Sequence, residues 1–176
     1  LPEKILSFNV HNMGFIPFLL CPLFRDPSSY RVHFMGYILY ACSPETAVYD
    51  FKYTLDHCRE NSPNKAYHLI QAFAPGEVGF EEAHRIGKEL ADKLLEGKYS
   101  YVVTTHIDKG HVHNHIIFCS ADNIEHNKYH DCKQSYYHIR KLSDELCREH
   151  KLSVIIPGAQ RGRKYKEWQS EQNGSA

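Results

Sequence analysis

The chain has 176 residues, of which 42% are hydrophobic and 24% charged, and its formal net charge is zero. This composition is that of an ordinary globular protein with a core, and it excludes a chain-wide attraction to polyanions, so any nucleic-acid surface must be a local patch. The six cysteines include no C-x-x-C pair, which is typical of reduced thiols in a cytosolic protein. The most apolar stretch, Phe15 to Phe24, is too short to span a bilayer, and no membrane or targeting segment is predicted.

Six predicted elements follow one another along the chain. Runs of β-branched and aromatic residues predict strands, and apolar residues at three-to-four spacing predict helices. The elements are a strand at Arg31–Ala41, a helix from its N-cap Ser43 to about Glu60, a strand at Ala66–Ala74, a helix at Phe80–Glu96, a hairpin of two strands (YSYVVTTHI and HVHNHIIFCS) and a helix at Ser135–His150. This order predicts an α+β fold, with helices packed on one face of an antiparallel or mixed central sheet. We expect residues 1–176 to form a single domain with a basic tail at 157–176, in a fragment of a longer protein.

Four histidines and an aspartate crowd the stretch THIDKGHVHNHIIF, Thr105 to Phe118. Because strand residues alternate between faces, His111, His113 and His115 are predicted to share one side of the sheet. The tight turn between the two strands brings His106 close to them. Such a cluster could be a solvated turn, a set of core histidines or the ligands of a metal ion. Crowded neutral imidazoles have nitrogens to satisfy, and a divalent cation uses their lone pairs, so the pattern favours metal binding.

The same stretch resembles a motif of a known family. H-x-D followed by H-x-H and an apolar strand resembles motif III of the plasmid and transposon mobilization relaxases, members of the histidine–hydrophobic–histidine (HUH) endonuclease superfamily. Further stretches resemble the MobP/VirD2-like branch: CSPETA (Cys42–Ala47), YHLIQAFAPGEV (Tyr67–Val78), SYYHIRKLSDELCREHKLSVI (Ser135–Ile155) and KYKEWQ (Lys164–Gln169). The resemblance covers about Gly36 to Gln169, and it is specific because several motifs agree in order.

The resemblance implies a relaxase, a metal-dependent transesterase that nicks single-stranded DNA at a transfer origin through a tyrosine nucleophile. By register, His106, His113 and His115 match the metal ligands. Asp108 matches the acidic residue that supports the site, with an exposed aspartate in the turn as the alternative. His111 becomes a neighbour or an alternative ligand. The implied cofactor is Mg²⁺ or Mn²⁺, although three imidazoles bind Zn²⁺ or Ni²⁺ more tightly. The implied partners are single-stranded DNA and relaxosome accessory proteins.

The stretch that resembles the family's second motif contains His68 and Gln71. The two residues are three positions apart on one strand, so their side chains point to opposite faces and at most one of them can face the metal site. We favour His68 as that residue, with a structural role as its alternative.

The N-terminal segment, residues 1–35, departs from the family's pattern. The family's nucleophile lies in a motif resembling Y-I-x-N-P-x-K-T, and the matching stretch LFRDPSS has Leu23 where the tyrosine is expected. Tyr30, just beyond the Asp-Pro pair, is the first candidate for a displaced nucleophile, ahead of Tyr37 and Tyr40. A domain that binds metal and DNA without nicking is the remaining alternative.

The C-terminal tail interleaves cations with aromatic side chains, a composition suited to phosphate contacts and base stacking. We predict that its DNA-binding residues are Arg161, Arg163, Lys164, Tyr165 and Trp168, with Lys133, Arg140 and Lys141 adding to the patch. The alternative for this segment is a solvated basic tail. Among functions, a relaxase domain ranks first. It is followed by a catalytically silent DNA- or relaxosome-binding module, a metallohydrolase of small phosphoesters and a replication initiator of the same superfamily.

Overall fold

The computed structural model describes residues 6–11, 46–60, 63–108 and 111–154. In these ranges the elements are, in chain order, β1 (Leu6–His11), α1 (Ala47–Asp56), β2 (Ala66–Ala72), α2 (Phe80–Leu95), β3 (Tyr101–Asp108), β4 (His111–Cys119) and α3 (Lys133–Glu149). The strands form one sheet in the order β1-β2-β4-β3, and every neighbouring pair in it is antiparallel. The predicted α+β fold with a β3–β4 hairpin is therefore confirmed.

Helices α2 and α3 lie where the apolar periodicity predicts them. α2 begins at Phe80 and ends where Glu96 adopts a left-handed φ of 49°, which a helix cannot continue through. α3 begins at Lys133, slightly before its predicted start, and the Ser135 hydroxyl accepts a hydrogen bond from the Cys132 backbone N–H at 2.8 Å, capping the first turn. None of the described helices is both long enough and apolar enough to cross a membrane.

Helix α1 is shorter than predicted at both ends. Its N-cap is Thr46 rather than Ser43. Its last turn is closed by His57, whose Nδ1 lies 2.8 Å from the carbonyl oxygen of Tyr53. The helix ends at Asp56, before its predicted end.

Strand β1 was not predicted from the sequence. Its residues, LSFNVH, alternate between apolar and polar side chains, which is the pattern of a half-buried strand. It pairs with β2 at the edge of the described sheet, with Leu6 opposite Gln71 and His11 opposite Ala66. The predicted strand Arg31–Ala41 lies outside the described residues.

Helices cover both faces of the sheet, so the prediction that they share one face is wrong. α2 and α3 pack on what we call the core face, where they bury Leu69, Ile116 and Phe118 in the larger apolar cluster. α1 packs on the opposite face in a smaller cluster formed by Ala47, Phe51, Val102, Ile117, Cys119 and Ala121. Because Ile117 and His115 are two residues apart on one strand, this second face also presents the histidines, and we call it the histidine face.

Candidate active site

The β3–β4 hairpin brings three of the predicted histidines together. Antiparallel pairing places His106 opposite His113 and Thr104 opposite His115, and directly opposed side chains lie on the same face. The ring centroids of the three histidines are 4.7 to 5.2 Å apart. One nitrogen of each ring lies within 4.8 Å of the others, so these side chains can hold a metal ion.

Burial keeps His115 in the uncharged state that can bind a cation. His106 and His115 are only 3% and 9% exposed, whereas His113 is half-buried and opens the cluster to solvent. Burial lowers the pKa of His115 to about 3, and repulsion from His106, His68 and His113 adds to this effect. At neutral pH the His115 ring is therefore uncharged, and its lone pair is suited to a divalent cation.

His68 on β2 lies beside the cluster on the histidine face, whereas Gln71 of the same strand does not. Its Nε2 is 2.7 Å from Nδ1 of His115, and the two rings stack with centroids 4.9 Å apart. This contact engages Nδ1 of His115 and leaves Nε2 as the nitrogen for a cation. A partner of this kind orients a ligand and fixes its tautomer. Gln71 lies on the core face, hydrogen-bonded to Asn114.

A protein-family model for the nuclease domain of MobA/VirD2-like relaxases matches residues 31–152, well over half of the chain. The chain belongs to this family. The resemblance to mobilization relaxases is thereby confirmed. The matched range contains the three-histidine cluster and His68, and it begins one residue after Tyr30.

Several curated proteins are similar to this relaxase domain. A Protein rlx of Staphylococcus aureus is 38% identical over 117 residues, which cover 66% of this chain and 37% of the relative. A second Protein rlx of the same species is 41% identical over 113 residues, covering 64% of this chain and 35% of the relative. The group II intron-interrupted relaxase LtrB of Lactococcus lactis subsp. cremoris is 29% identical over 137 residues, covering 68% and 24%. The match thus spans about a quarter to a little over a third of the length of these relatives, and no solved structure matches the chain.

Other predicted site residues of the relaxase domain are located only in part. Asp108 ends β3 and pairs with His111 at the start of β4, while the side chains of both lie outside the described part of the chain. Lys133, Arg140 and Lys141 lie on α3, which packs on the core face and thus on the opposite side of the sheet from the histidines. The remaining predicted site residues lie wholly outside the described ranges: Tyr30, Tyr37, Tyr40, Arg161, Arg163, Lys164, Tyr165 and Trp168.

Two polar contacts next to the histidines were missed by sequence analysis. On the histidine face, Thr104 Oγ1 lies 3.3 Å from Nε2 of His106. On the core face, the fully buried Asn114 accepts a hydrogen bond of 2.7 Å from Thr105. The sequence signal for the second contact was that Thr105 and Asn114 are polar, although strand alternation places both on the face that packs against an apolar core.

The depressed pKa of His115 gives a pH dependence that can be measured on the metal-free domain in EDTA. The pKa of this ring is about 3 when folded and 6.5 in its ordinary state, so unfolding between these pH values takes up a proton. The free energy of unfolding should thus fall by about 1.4 kcal/mol for each pH unit below about 6.5, because the unfolded chain takes up a proton at His115. Above that pH, His115 should have no effect on the free energy of unfolding.

Urea unfolding at pH 7 and pH 5 tests this expectation. We expect the wild-type domain to lose about 2 kcal/mol between the two conditions through this ring, and His115→Gln to lose correspondingly less. An equal pH dependence of wild type and variant would show that His115 does not have the depressed pKa.

Proposed function

We propose that the chain is the metal-dependent nuclease domain of a mobilization relaxase, which binds single-stranded DNA at a transfer origin and nicks it by tyrosine transesterification. The observation that supports this most directly is the three-histidine cluster in a chain of the MobA/VirD2-like relaxase family. A metallohydrolase of small phosphoesters and a replication initiator both fit less well, because each would share the chemistry of the cluster but not the family.

In this proposal His106, His113 and His115 hold a divalent cation, Mg²⁺ or Mn²⁺ in function. When bound, the cation offsets charge on the nonbridging oxygens of the scissile phosphate and orients it. His68 holds the ring of His115 through the 2.7 Å contact at Nδ1. Asp108 supports the site as a hydrogen-bond acceptor for a ligand, and His111 is the alternative ligand.

The reaction exchanges one phosphodiester for another. The phenol oxygen of Tyr30 attacks the scissile phosphorus, and the bond from phosphorus to the 3′ oxygen breaks. The phenol proton is lost and the departing oxygen takes one up, leaving a free 3′-hydroxyl and a 5′-phosphotyrosyl bond. No oxidant or hydrolytic water is needed.

Buried tyrosines of the described ranges are poor candidates for this nucleophile. Tyr67 and Tyr101 are buried in the apolar cluster of the core face, on the opposite side from the histidines. Tyr129 packs against the same cluster, and burial raises its pKa to about 12, which disfavours the phenolate needed for attack. Their burial argues against these three tyrosines, and among the tyrosines near the departing family motif we place Tyr30 first, before Tyr37 and Tyr40.

DNA contacts beyond the scissile phosphate are assigned to the C-terminal tail. Its guanidinium and ammonium groups suit phosphates, and its aromatic rings suit unstacked bases. The residues proposed for this role are Arg161, Arg163, Lys164, Tyr165 and Trp168. Relaxosome accessory proteins are the further partners we propose.

Covalent capture tests the nicking reaction and the nucleophile together. The chain is incubated with oligonucleotides that tile the transfer origin of the element encoding it, in Mn²⁺ and in Mg²⁺. The linked residue is then mapped by mass spectrometry. We expect wild-type protein to form an adduct and Tyr30→Phe to reduce its yield by at least about 10³-fold, because the variant lacks the attacking oxygen. Tyr53→Phe, at an exposed tyrosine of α1, is the matched control and should form the adduct normally.

Each other outcome of this assay has a defined meaning. An undiminished adduct in Tyr30→Phe rules out Tyr30, and the mapped residue then identifies the nucleophile. No adduct with any oligonucleotide in either metal contradicts the nicking function. Metal-dependent DNA binding without an adduct would instead support the second candidate, a catalytically silent DNA- or relaxosome-binding module. That candidate is favoured by one observation, Leu23 at the position that resembles the family's tyrosine.

A further inference from the structure

A row of three polar side chains crosses the sheet directly behind the histidines. We propose that this row, formed by Gln71, Asn114 and Thr105 and called here the amide row, is a positioning device that fixes the strand register of the metal ligands. The inference rests on the proposed metal site and adds to it residues that contact neither the cation nor DNA.

Strand pairing places the amide row at the level of the cluster. Asn114 is paired with Gln71 on β2 and with Thr105 on β3, so the three side chains lie side by side on the core face. Asn114 lies between His113 and His115 in sequence, and Thr105 directly precedes His106. Any shift of the row therefore moves the ligands.

In the amide row each side chain donates a hydrogen bond to the next, from Thr105 to Asn114 to Gln71, so the central amide both accepts and donates. Thr105 Oγ1 donates to Asn114 Oδ1 at 2.7 Å, and Asn114 Nδ2 donates to Gln71 Oε1 at 3.0 Å and to the Ala83 carbonyl at 2.7 Å. The Ala83 carbonyl can only accept, so it fixes which end of the amide is nitrogen. All three side chains of the row are 0 to 2% exposed.

Both helices of the core face hold the ends of the amide row. On α2, His84 Nδ1 lies 2.9 Å from Thr105 Oγ1, and since that hydroxyl donates to Asn114, His84 is the donor here. On α3, the Ser143 hydroxyl accepts from Gln71 Nε2 at 3.0 Å. The row thus ties three strands to two helices at one level of the sheet.

An apolar row could fill the same space without needing partners, because buried polar groups cost free energy unless they are hydrogen-bonded. A polar row has a different advantage, which is that it favours one strand register over the others. A slip of β4 by one residue would turn His113 and His115 into the core and turn Asn114 to the histidine face. The Asn114 amide would then lose the partners it has on the core face. A buried amide penalises the wrong register more strongly than an apolar side chain does.

The test replaces the whole amide row with apolar residues of similar shape in the variant Gln71→Leu/Thr105→Val/Asn114→Leu. Co²⁺ is the probe, because it binds imidazole nitrogen and its visible absorption depends on ligand geometry. We expect the thermal transition of the metal-free variant to remain cooperative. We expect its Co²⁺ affinity to fall roughly tenfold to a hundredfold, with an altered visible spectrum.

The matched control is Asn123→Ala. Asn123 accepts hydrogen bonds from Thr54 and Ser100, each at 3.1 Å, and lies beyond the far end of β4. This variant should lose stability but keep the wild-type Co²⁺ affinity and spectrum. If the triple variant does not fold, the single change Thr105→Val, which keeps a β-branched side chain in β3, is measured in its place and should weaken Co²⁺ binding in the same direction.

The outcomes separate this inference from the proposed function. A folded triple variant with wild-type Co²⁺ affinity and spectrum would overturn the positioning role and leave the metal site intact. A wild-type domain that binds no Co²⁺ would contradict the metal site itself, and with it the inference. Loss of Co²⁺ affinity in Asn123→Ala equal to that of the triple variant would also overturn the inference, since the effect would then follow stability and not the row.

Discussion

On the proposed function, changing His115 to alanine should remove most of the metal affinity of the domain and lower its rate of DNA nicking by about 10²- to 10³-fold or more. The reason is the position of this ring. Its centroid lies 4.7 Å from that of His106 and 5.1 Å from that of His113, and its Nδ1 is held by His68. Alanine removes one of three nitrogens and the contact that orients it. Isothermal titration with Mn²⁺ and Co²⁺, and adduct formation with transfer-origin DNA, measure the two effects.

His138→Ala is the matched control for this experiment. His138 is exposed on α3, on the opposite side of the sheet from the cluster, so its loss should leave metal binding and nicking unchanged. A His115→Ala variant that binds metal within about twofold of wild type would contradict the assignment of the cluster, because losing a true ligand costs far more than this. A nicking rate that falls equally in both variants would indicate a general loss of fold.

Replacing Gly87 by alanine is expected to destabilise the domain by about 2–3 kcal/mol, although alanine favours helices by about 1 kcal/mol. Gly87 lies within α2 and is buried against β4. A Cβ there would be 2.4 Å from Nδ2 and 2.7 Å from Cγ of Asn114. Asn114 cannot move away without breaking its bonds to Gln71 and Ala83. Urea unfolding monitored by circular dichroism gives the change in free energy.

Gly79→Ala is the control for the steric argument. A Cβ at Gly79, the N-cap of α2, would meet nothing within 4 Å, so only the preference of the N-cap for glycine over alanine is lost, about 1 kcal/mol or less. If Gly87→Ala were as stable as wild type, the close approach of α2 to Asn114 would not be a constraint on the fold.

Local sequence patterns predicted the elements that depend on their own residues. The three-to-four spacing of Ala83, Ile86 and Leu90 gave α2 its place, and all three are fully buried. Strand alternation, together with a tight turn, was enough to bring His106 close to the other histidines, and the structure pairs it with His113. These patterns work because helix and strand periodicity is fixed by backbone geometry and is independent of distant partners.

Elements that depend on distant partners were missed or misplaced. β1 has an alternating pattern in only six residues, and its place beside β2 depends on a segment far along the chain. Strand alternation placed His68 and Gln71 on opposite faces of the sheet but did not determine which of them faces the cluster. Pairing of Ile70 with His115 decides this, because it puts His68 on the histidine face.

The sequence by itself determined the histidine motif, the alternation that groups its rings and the family to which the chain belongs. Tertiary structure alone decided that α1 covers the histidine face and that Asn114, Gln71 and Thr105 join behind the histidines. The physical reason is that a periodic pattern states which residues share a face, whereas the partner of that face is chosen by packing across the whole sheet. Buried amides and hydroxyls are the extreme case, since each needs a partner whose position only the complete fold supplies.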